Sequence, residues 1–210
     1  MSVYKITEIA KDVRIALDRN KSSDNLLLIG DIDTLSLDEI IYSKIEDGVK
    51  AIESISPLSY LESGYNFGET IYWNDNGTGW IILPENFLRL ISFKMSDWQR
   101  TLYSAITEQD PEYALQASEF AGIRGNAERP VIAIVNRSVG TVLEFYSSKD
   151  NTAKVEQAVY LPMPQIIDEM IEICDKCYRA SIYMIAGLTL QACKDNQATE
   201  MIELSKNMIS

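Results

Sequence analysis

Residues 70–83, TIYWNDNGTGWIIL, place two short runs of β-forming residues on either side of Asn74, Asp75, Asn76 and Gly77. Asn-Gly supplies the positive φ angles of a tight turn, so the stretch is expected to fold as a β-hairpin. Alternation along a strand then sends Tyr72 and Trp73 to opposite faces, one of which is expected to be buried. Downstream of Pro84, residues 88–95 fit a strand or a short helix. Residues 131–135, 142–146 and 155–161 have the β-branched and aromatic content of strands, with Gly140 at a turn between two of them. Residues 108–129 have two glycines and mixed polarity, with a helical turn expected at 112–118, and read as a long excursion from the sheet.

On both sides of this region the hydrophobic period changes. Ile6, Ala10, Val13 and Leu17 recur at helical spacing, which predicts a helix over residues ~4–19 that ends in the segment 20–25. Ser36 followed by Glu39 is a capping box, the apolar stripe Ile41, Ile45, Val49, Ile52 follows it, and Pro57 stops the helix. Pro162 and Pro164 close the β region, and Pro164 suits the first turn of a helix. A long helix is expected to follow, with one stripe through Ile166, Met170, Ile173, Cys174, Cys177, Ser181, Met184, Ile185, Leu188 and Ala192. Gly187 within it is expected to permit close helix packing. A last helix, capped by Asp195 or Asn196, turns Ala198, Ile202, Ser205 and Ile209 inward. The expected class is α+β. An N-terminal helical part (1–69) and a C-terminal helical part (163–210) form a bundle, with an antiparallel β-rich insert (70–162) between them.

The composition, 46% hydrophobic and 24% charged, is that of a chain that folds. The net charge of -12 is spread along all three parts, which argues against a surface built to neutralise nucleic-acid phosphates. The start, MSVYKITEIAKDVRIAL, does not read as a secretory signal, and residues 180–193 are too short a weakly polar stretch to span a bilayer. Three cysteines without an export signal point to reduced thiols in a cytosolic setting.

The chain has no histidine, which removes Ser/His/Asp and Cys/His catalysis and histidine-zinc sites. No Walker-type phosphate loop occurs, and Gly122-Ile123-Arg124-Gly125 does not lie between a strand and a helix as a dinucleotide site requires. Cys174-Asp-Lys-Cys177 has redox or zinc spacing. Both cysteines fall on the stripe of the expected long helix, however, so burial as small hydrophobes is the favoured reading. Asp31/Asp33, Asp38/Glu39 and Asp168/Glu169 are expected at helix starts or in loops, where carboxylates complement the helix dipole better than they hold calcium or magnesium. No enzyme activity, cofactor or metal is expected. Trp73, Trp80 and Trp98, with Tyr72, Phe93, Tyr103, Phe145 and Tyr146, are read chiefly as a compact sheet core, and alternatively as a surface that stacks sugars or anchors a partner.

Three strings, LPENFLRLISFKMSDWQRTL (83–102), ERPVIAIVNRSVGTVLEFYSS (128–148) and YRASIYMIAGLTLQAC (178–193), resemble head-to-tail connector, or neck ring, proteins of tailed bacteriophages and prophages of gut Bacteroidales, including crAss-like phages. The similarity covers most of residues 36–209 and lies in texture and order rather than in a motif with forced chemistry. It implies a structural virion protein, made in the host cytoplasm, that closes into a ring of commonly twelve copies. Such a ring docks beneath the portal protein, meets other neck or tail rings, and extends the channel through which DNA passes without being read. It implies no membrane. Ring closure needs two different complementary surfaces on each subunit. The candidates are the terminal helices, the excursion 108–129, and the side chains Trp98, Arg100, Arg124 and Arg129; the guanidinium groups of these arginines and of Arg89 would meet a neighbour's acid excess. The alternative is a carbohydrate- or peptide-binding module that uses the aromatic β insert.

Overall fold

A computed structural model describes residues 1–17, 36–62, 64–74, 77–120, 122–146, 148–149 and 151–210. Along these the order is β1 (Ser2–Lys5), α1 (Ile6–Ala16), α2 (Leu37–Ile55), β2 (Tyr65–Asn66), β3 (Tyr72–Trp73), β4 (Gly79–Ile82), β5 (Phe87–Met95) and β6 (Ile106–Thr107). There follow α3 (Pro111–Leu115), β7 (Ile132–Arg137), β8 (Gly140–Phe145), β9 (Val155–Pro162), β10 (Met170–Ile173), a 3-10 turn (Asp175–Cys177), α4 (Tyr178–Ala192) and α5 (Ala198–Asn207). The chain forms two compact units, Met1–Glu62 with Met163–Ser210, and Ser63–Pro162. The fold is α+β: the N- and C-terminal helices form one unit, and a mostly antiparallel β unit is inserted between them.

In the helical unit, Ile9 and Val13 of α1, Leu37, Ile41, Ile45 and Val49 of α2, Ile171 and Ile173 of β10, and Ile182 and Ile185 of α4 make one buried cluster. Side chains of this kind contribute about 1.5–3 kcal/mol each when fully buried, which is why the stripe decides how the helices pack. The capping box of α2 is formed: Glu39 N–H donates to Ser36 Oγ at 3.3 Å, and Ser36 N–H donates to Glu39 Oε2 at 2.6 Å. Close α4–α5 packing falls at Gly187, where a Cβ would lie 2.7 Å from Ile202 Cγ1 and 3.1 Å from its backbone nitrogen. In α5, Ala198 and Ser205 are buried and Ile202 is half-buried, and Ile209, just beyond the helix, is buried too.

Two expectations for this unit are corrected. The first helix starts at Ile6, because Ser2–Lys5 alternates half-buried and exposed side chains and pairs antiparallel with β10, Val3 opposite Glu172. The expected end of that helix, 18–19, and the stop at 20–25 lie outside the described residues. The long helix expected from Pro164 starts instead at Tyr178. Ile167 and Met170 exchange both backbone hydrogen bonds at 2.9 Å, around Asp168 and Glu169 at φ 50° and 60°. That is a two-residue hairpin turn of the type that needs positive φ at both central positions. Met170–Ile173 then alternates exposed and buried residues as a strand. A run of apolar residues this short satisfies the helical and the strand period alike, and pairing with β1 decides between them.

In the inserted unit, β2-β9-β5 form an antiparallel sheet and β3-β4-β8-β7-β6 a second one, in which only the short β6 runs parallel to its neighbour. Tyr65–Asn66, expected within the N-terminal helical part, pairs with Val159–Tyr160 and so belongs to this unit. Residues 87–95 are a strand, β5, with irregular register against β9. The two sheets share one core of Ile81, Leu83, Phe93, Met95, Trp98, Ile132, Leu143, Phe145 and Tyr160. As alternation requires, Trp73 meets Phe145 edge-on at 5.1 Å inside, while Tyr72 stacks on Trp80 at 4.1 Å outside. On that outer face Ala133, Val135 and Val142 are covered by Trp80, Ile106, Tyr113 and Tyr146.

Candidate interaction site

The excursion 108–129 leaves the five-stranded sheet after β6 and returns to β7. Its first turn is set locally: Asp110 Oδ2 accepts from the N–H of Thr107 at 2.6 Å and from its hydroxyl at 2.9 Å, which holds the Asp110 carboxyl below its usual range. Pro111 then occupies the first turn of α3, where its missing N–H costs nothing. Tyr113 on α3 reaches the outer face of the sheet and joins a network around Glu144 of β8. Glu144 Oε2 accepts from Tyr146 at 2.5 Å and from Tyr113 at 3.3 Å. Its Oε1 pairs with Arg137, whose Nε donates at 2.8 Å and whose Nη2 also donates to the Tyr113 hydroxyl at 3.1 Å. Burial, and then the Glu144 carboxylate, push the Tyr146 phenol far up, so it stays a donor. Two residues of the sheet, Arg137 and Glu144, thus hold α3 in place through Tyr113.

Beyond α3 the excursion is stitched to itself. Gln116 Oε1 accepts from Gly125 N–H at 2.9 Å while its Nε2 donates to Glu112 O at 3.0 Å, and Asn126 Oδ1 accepts from the N–H groups of Glu128 and Arg129, both at 3.0 Å. These bonds frame an open pocket of about 450 Å³ that includes Glu112, Gln116, Arg124, Asn126, Glu128 and Arg129 in its lining. Of the four side chains expected at an interface, Arg124 and Arg129 meet in this pocket. Arg100 is exposed on the neighbouring segment, where Gln99 N–H donates to Ala127 O at 3.3 Å. Trp98 is placed differently. It is only 3% exposed and packs against Phe93 at 5.5 Å, so it belongs to the core; its Nε1 finds no hydrogen-bond partner among the described residues.

Three apolar side chains were not legible as part of this site. Leu115 is 49%, Phe120 73% and Ile123 53% exposed, all on the same excursion. Their signal in the sequence was an apolar residue in a polar, glycine-containing stretch with no periodicity that would bury it. Glu144 was missed too, although a lone charge inside TVLEFY, between the buried Leu143 and Phe145, marks a carboxylate whose strand neighbours face the core.

The carboxylate pairs divide. Asp38 pairs with Arg14 at 2.7 Å and Glu39 serves the cap of α2, as its lowered carboxyl reflects through the Ser36 N–H. Asp168 and Glu169 sit in the hairpin turn and not at a helix start. Asp31 and Asp33 lie outside the described residues. Among the described residues no group of three or more Cys, Asp or Glu is arranged to hold a metal ion, and no helix is long and apolar enough to cross a membrane.

Cys174 and Cys177 are fully buried, but at the junction of β10 and α4 rather than along a helix stripe. Cys177 N–H donates to Cys174 O at 2.8 Å, and Cys177 Sγ lies 3.3 Å from Ser56 Oγ. Glu53 of α2, also fully buried, accepts from Cys174 N–H at 2.9 Å through Oε1, whereas Oε2 has no partner among the described residues. Its position one turn after Val49 on the apolar stripe was the sequence signal of a buried acid.

No protein-family model matches the chain, and comparison with curated proteins finds no match.

Proposed function

We propose that this protein is a structural component of a tailed-phage neck, a ring subunit that joins portal to tail, extends the DNA channel and has no catalytic role. The observation that carries the reading is the excursion 108–129. It presents Leu115, Phe120 and Ile123 to solvent beside Arg124 and Arg129, on a backbone fixed to the sheet through Glu144. Exposed apolar side chains rimmed by charge are what a lasting protein contact covers, and a rigid support lowers the entropy cost of covering them. The partner we assign is a second copy of this chain. A net charge of -12 gives every copy an acid excess for the two arginines to meet, and head-to-tail contacts of unlike surfaces close into rings. An acidic wall also suits a conduit, because it repels DNA weakly and lets it slide. The sequence strings at 83–102, 128–148 and 178–193 support the neck in particular.

Native mass spectrometry and electron microscopy of the purified chain test this. Rings of about a dozen copies are expected, and Phe120→Asp with Ile123→Asp is expected to return them to monomers while circular dichroism stays unchanged. A protein that stays monomeric alone and is absent from the neck of purified particles sinks the reading. A second reading rests on Tyr72 and Trp80, whose parallel rings, 11° apart, lie on the outer sheet face with Tyr72 exposed. In that case a monomer would bind glycans or peptides, and Tyr72→Ala would abolish the binding.

A further inference from the structure

The junction of β10 and α4 holds two thiols and a carboxylate that a ring contact does not use. The bond from Cys177 N–H to Cys174 O closes a four-residue turn, and such turns hold their first and last Cα atoms within about 7 Å. A disulfide spans Cα separations of about 4.4–6.8 Å, so the backbone is already set for one. The Cys174 N–H donates to Glu53 Oε1 at 2.9 Å, which sets the carboxylate beside the pair. Ser56 Oγ lies 3.3 Å from Cys177 Sγ, and this contact favours the Cys177 thiolate. Cys177 directly precedes α4, where the positive end of the helix dipole favours a thiolate. If the cysteines served only to fill space, Glu53 would be an unexplained cost, because a buried carboxylate oxygen without a partner is expensive.

We propose that Cys174 and Cys177 are a reversible dithiol/disulfide couple, with Glu53 as the group that receives the Cys174 proton. With a peroxide as oxidant, the Cys177 thiolate attacks one peroxide oxygen, the O–O bond breaks, and a sulfenic acid and hydroxide form. The Cys174 sulfur then attacks the Cys177 sulfur. The S–S bond forms, the S–O bond breaks, and hydroxide leaves, while the Cys174 proton passes to Glu53 and on to hydroxide as water. The proton that Cys177 released on ionising takes the first hydroxide to water, so the two thiols lose two electrons together and hydrogen peroxide is reduced to two waters. A dithiol reductant reverses the step by exchange. Of the pair, Cys177 ionises first. Its hydrogen bond from Cys174 pulls it down, whereas that bond, burial and the Glu53 charge push Cys174 up.

The test treats the full chain with hydrogen peroxide, quenches it by alkylation under denaturing conditions, and maps the peptides by mass spectrometry. The expected product has lost two hydrogens within the peptide that carries Cys174 and Cys177, leaves Cys193 alkylated, and reverts with dithiothreitol. Glu53→Gln, with its fold checked by circular dichroism, is expected to slow closure by roughly 10-fold or more. A second reading needs no variant: in the wild-type chain closure should accelerate with pH as Glu53 ionises, before free cysteine titrates. Cys174 and Cys177 remaining alkylatable while Cys193 oxidises overturns the couple. Closure at an unchanged rate in Glu53→Gln, or a pH profile that follows only free cysteine, overturns the assignment of Glu53.

Discussion

Glu53 is a carboxylate with no exposed surface. Burial pushes its carboxyl above the usual value, and the Cys174 N–H and the N-terminal ammonium of Met1 oppose the shift only in part. An acid whose folded value is raised stabilises the fold fully below its unfolded value, and that contribution is lost as pH rises through the folded one. The melting temperature is therefore expected to fall as pH rises above the ordinary carboxyl range by more in the wild-type chain than in Glu53→Gln, a difference that scanning calorimetry measures directly. Equal slopes in the two proteins would mean that Glu53 is solvated after all. Gly64 is a second residue with one narrow reason to exist. A Cβ there would lie 1.9 Å from Tyr160 O, a backbone atom of β9 that cannot move aside, so any side chain would part β2 from its neighbour.

Single elements show how far the sequence was readable. The helix α2 was legible end to end, because Ser36, Glu39 and Pro57 mark its limits independently of the stripe between them. The hairpin of β3 and β4 was legible through its turn residues, and the strands β7, β8 and β9 through their composition. Residues 164–177 were not. Glu169 is a poor choice for positive φ, and the partner that makes Met170–Ile173 a strand lies far away in sequence, at Ser2–Lys5. The turn itself can be tested. Asp168→Asn with Glu169→Gly gives this position the residues it prefers and is expected to stabilise the protein by about 1 kcal/mol in urea unfolding, since non-glycine residues at left-handed φ cost about that much. A helix in that segment would instead be weakened by the glycine. Of the interaction site, the arginines were visible as charges, but Trp98 was not separable from a surface tryptophan. Its burial comes from packing on Phe93 and the rest of the β-unit core, which no local pattern encodes.

At the scale of the molecule, the insertion is the main fact. The β unit has its own core and is about the size of an ordinary independent domain, while the helical unit is assembled from both ends of the chain. Residues 63–162 expressed alone are therefore expected to fold, with cooperative melting and dispersed amide resonances. The remaining ends, relinked by a short glycine-serine bridge, are expected to keep the helical circular dichroism. An unfolded 63–162 fragment would show that its stability is borrowed.

The pairing of β2 with β9 sets Tyr65 opposite Tyr160, so the chain comes into the β unit and goes out of it on adjacent strands. Strands so paired lie about 4.8 Å apart. To the rest of the chain, the whole β unit is thus a cassette with neighbouring entry and exit, and a different module with equally close ends is expected to be accepted in its place.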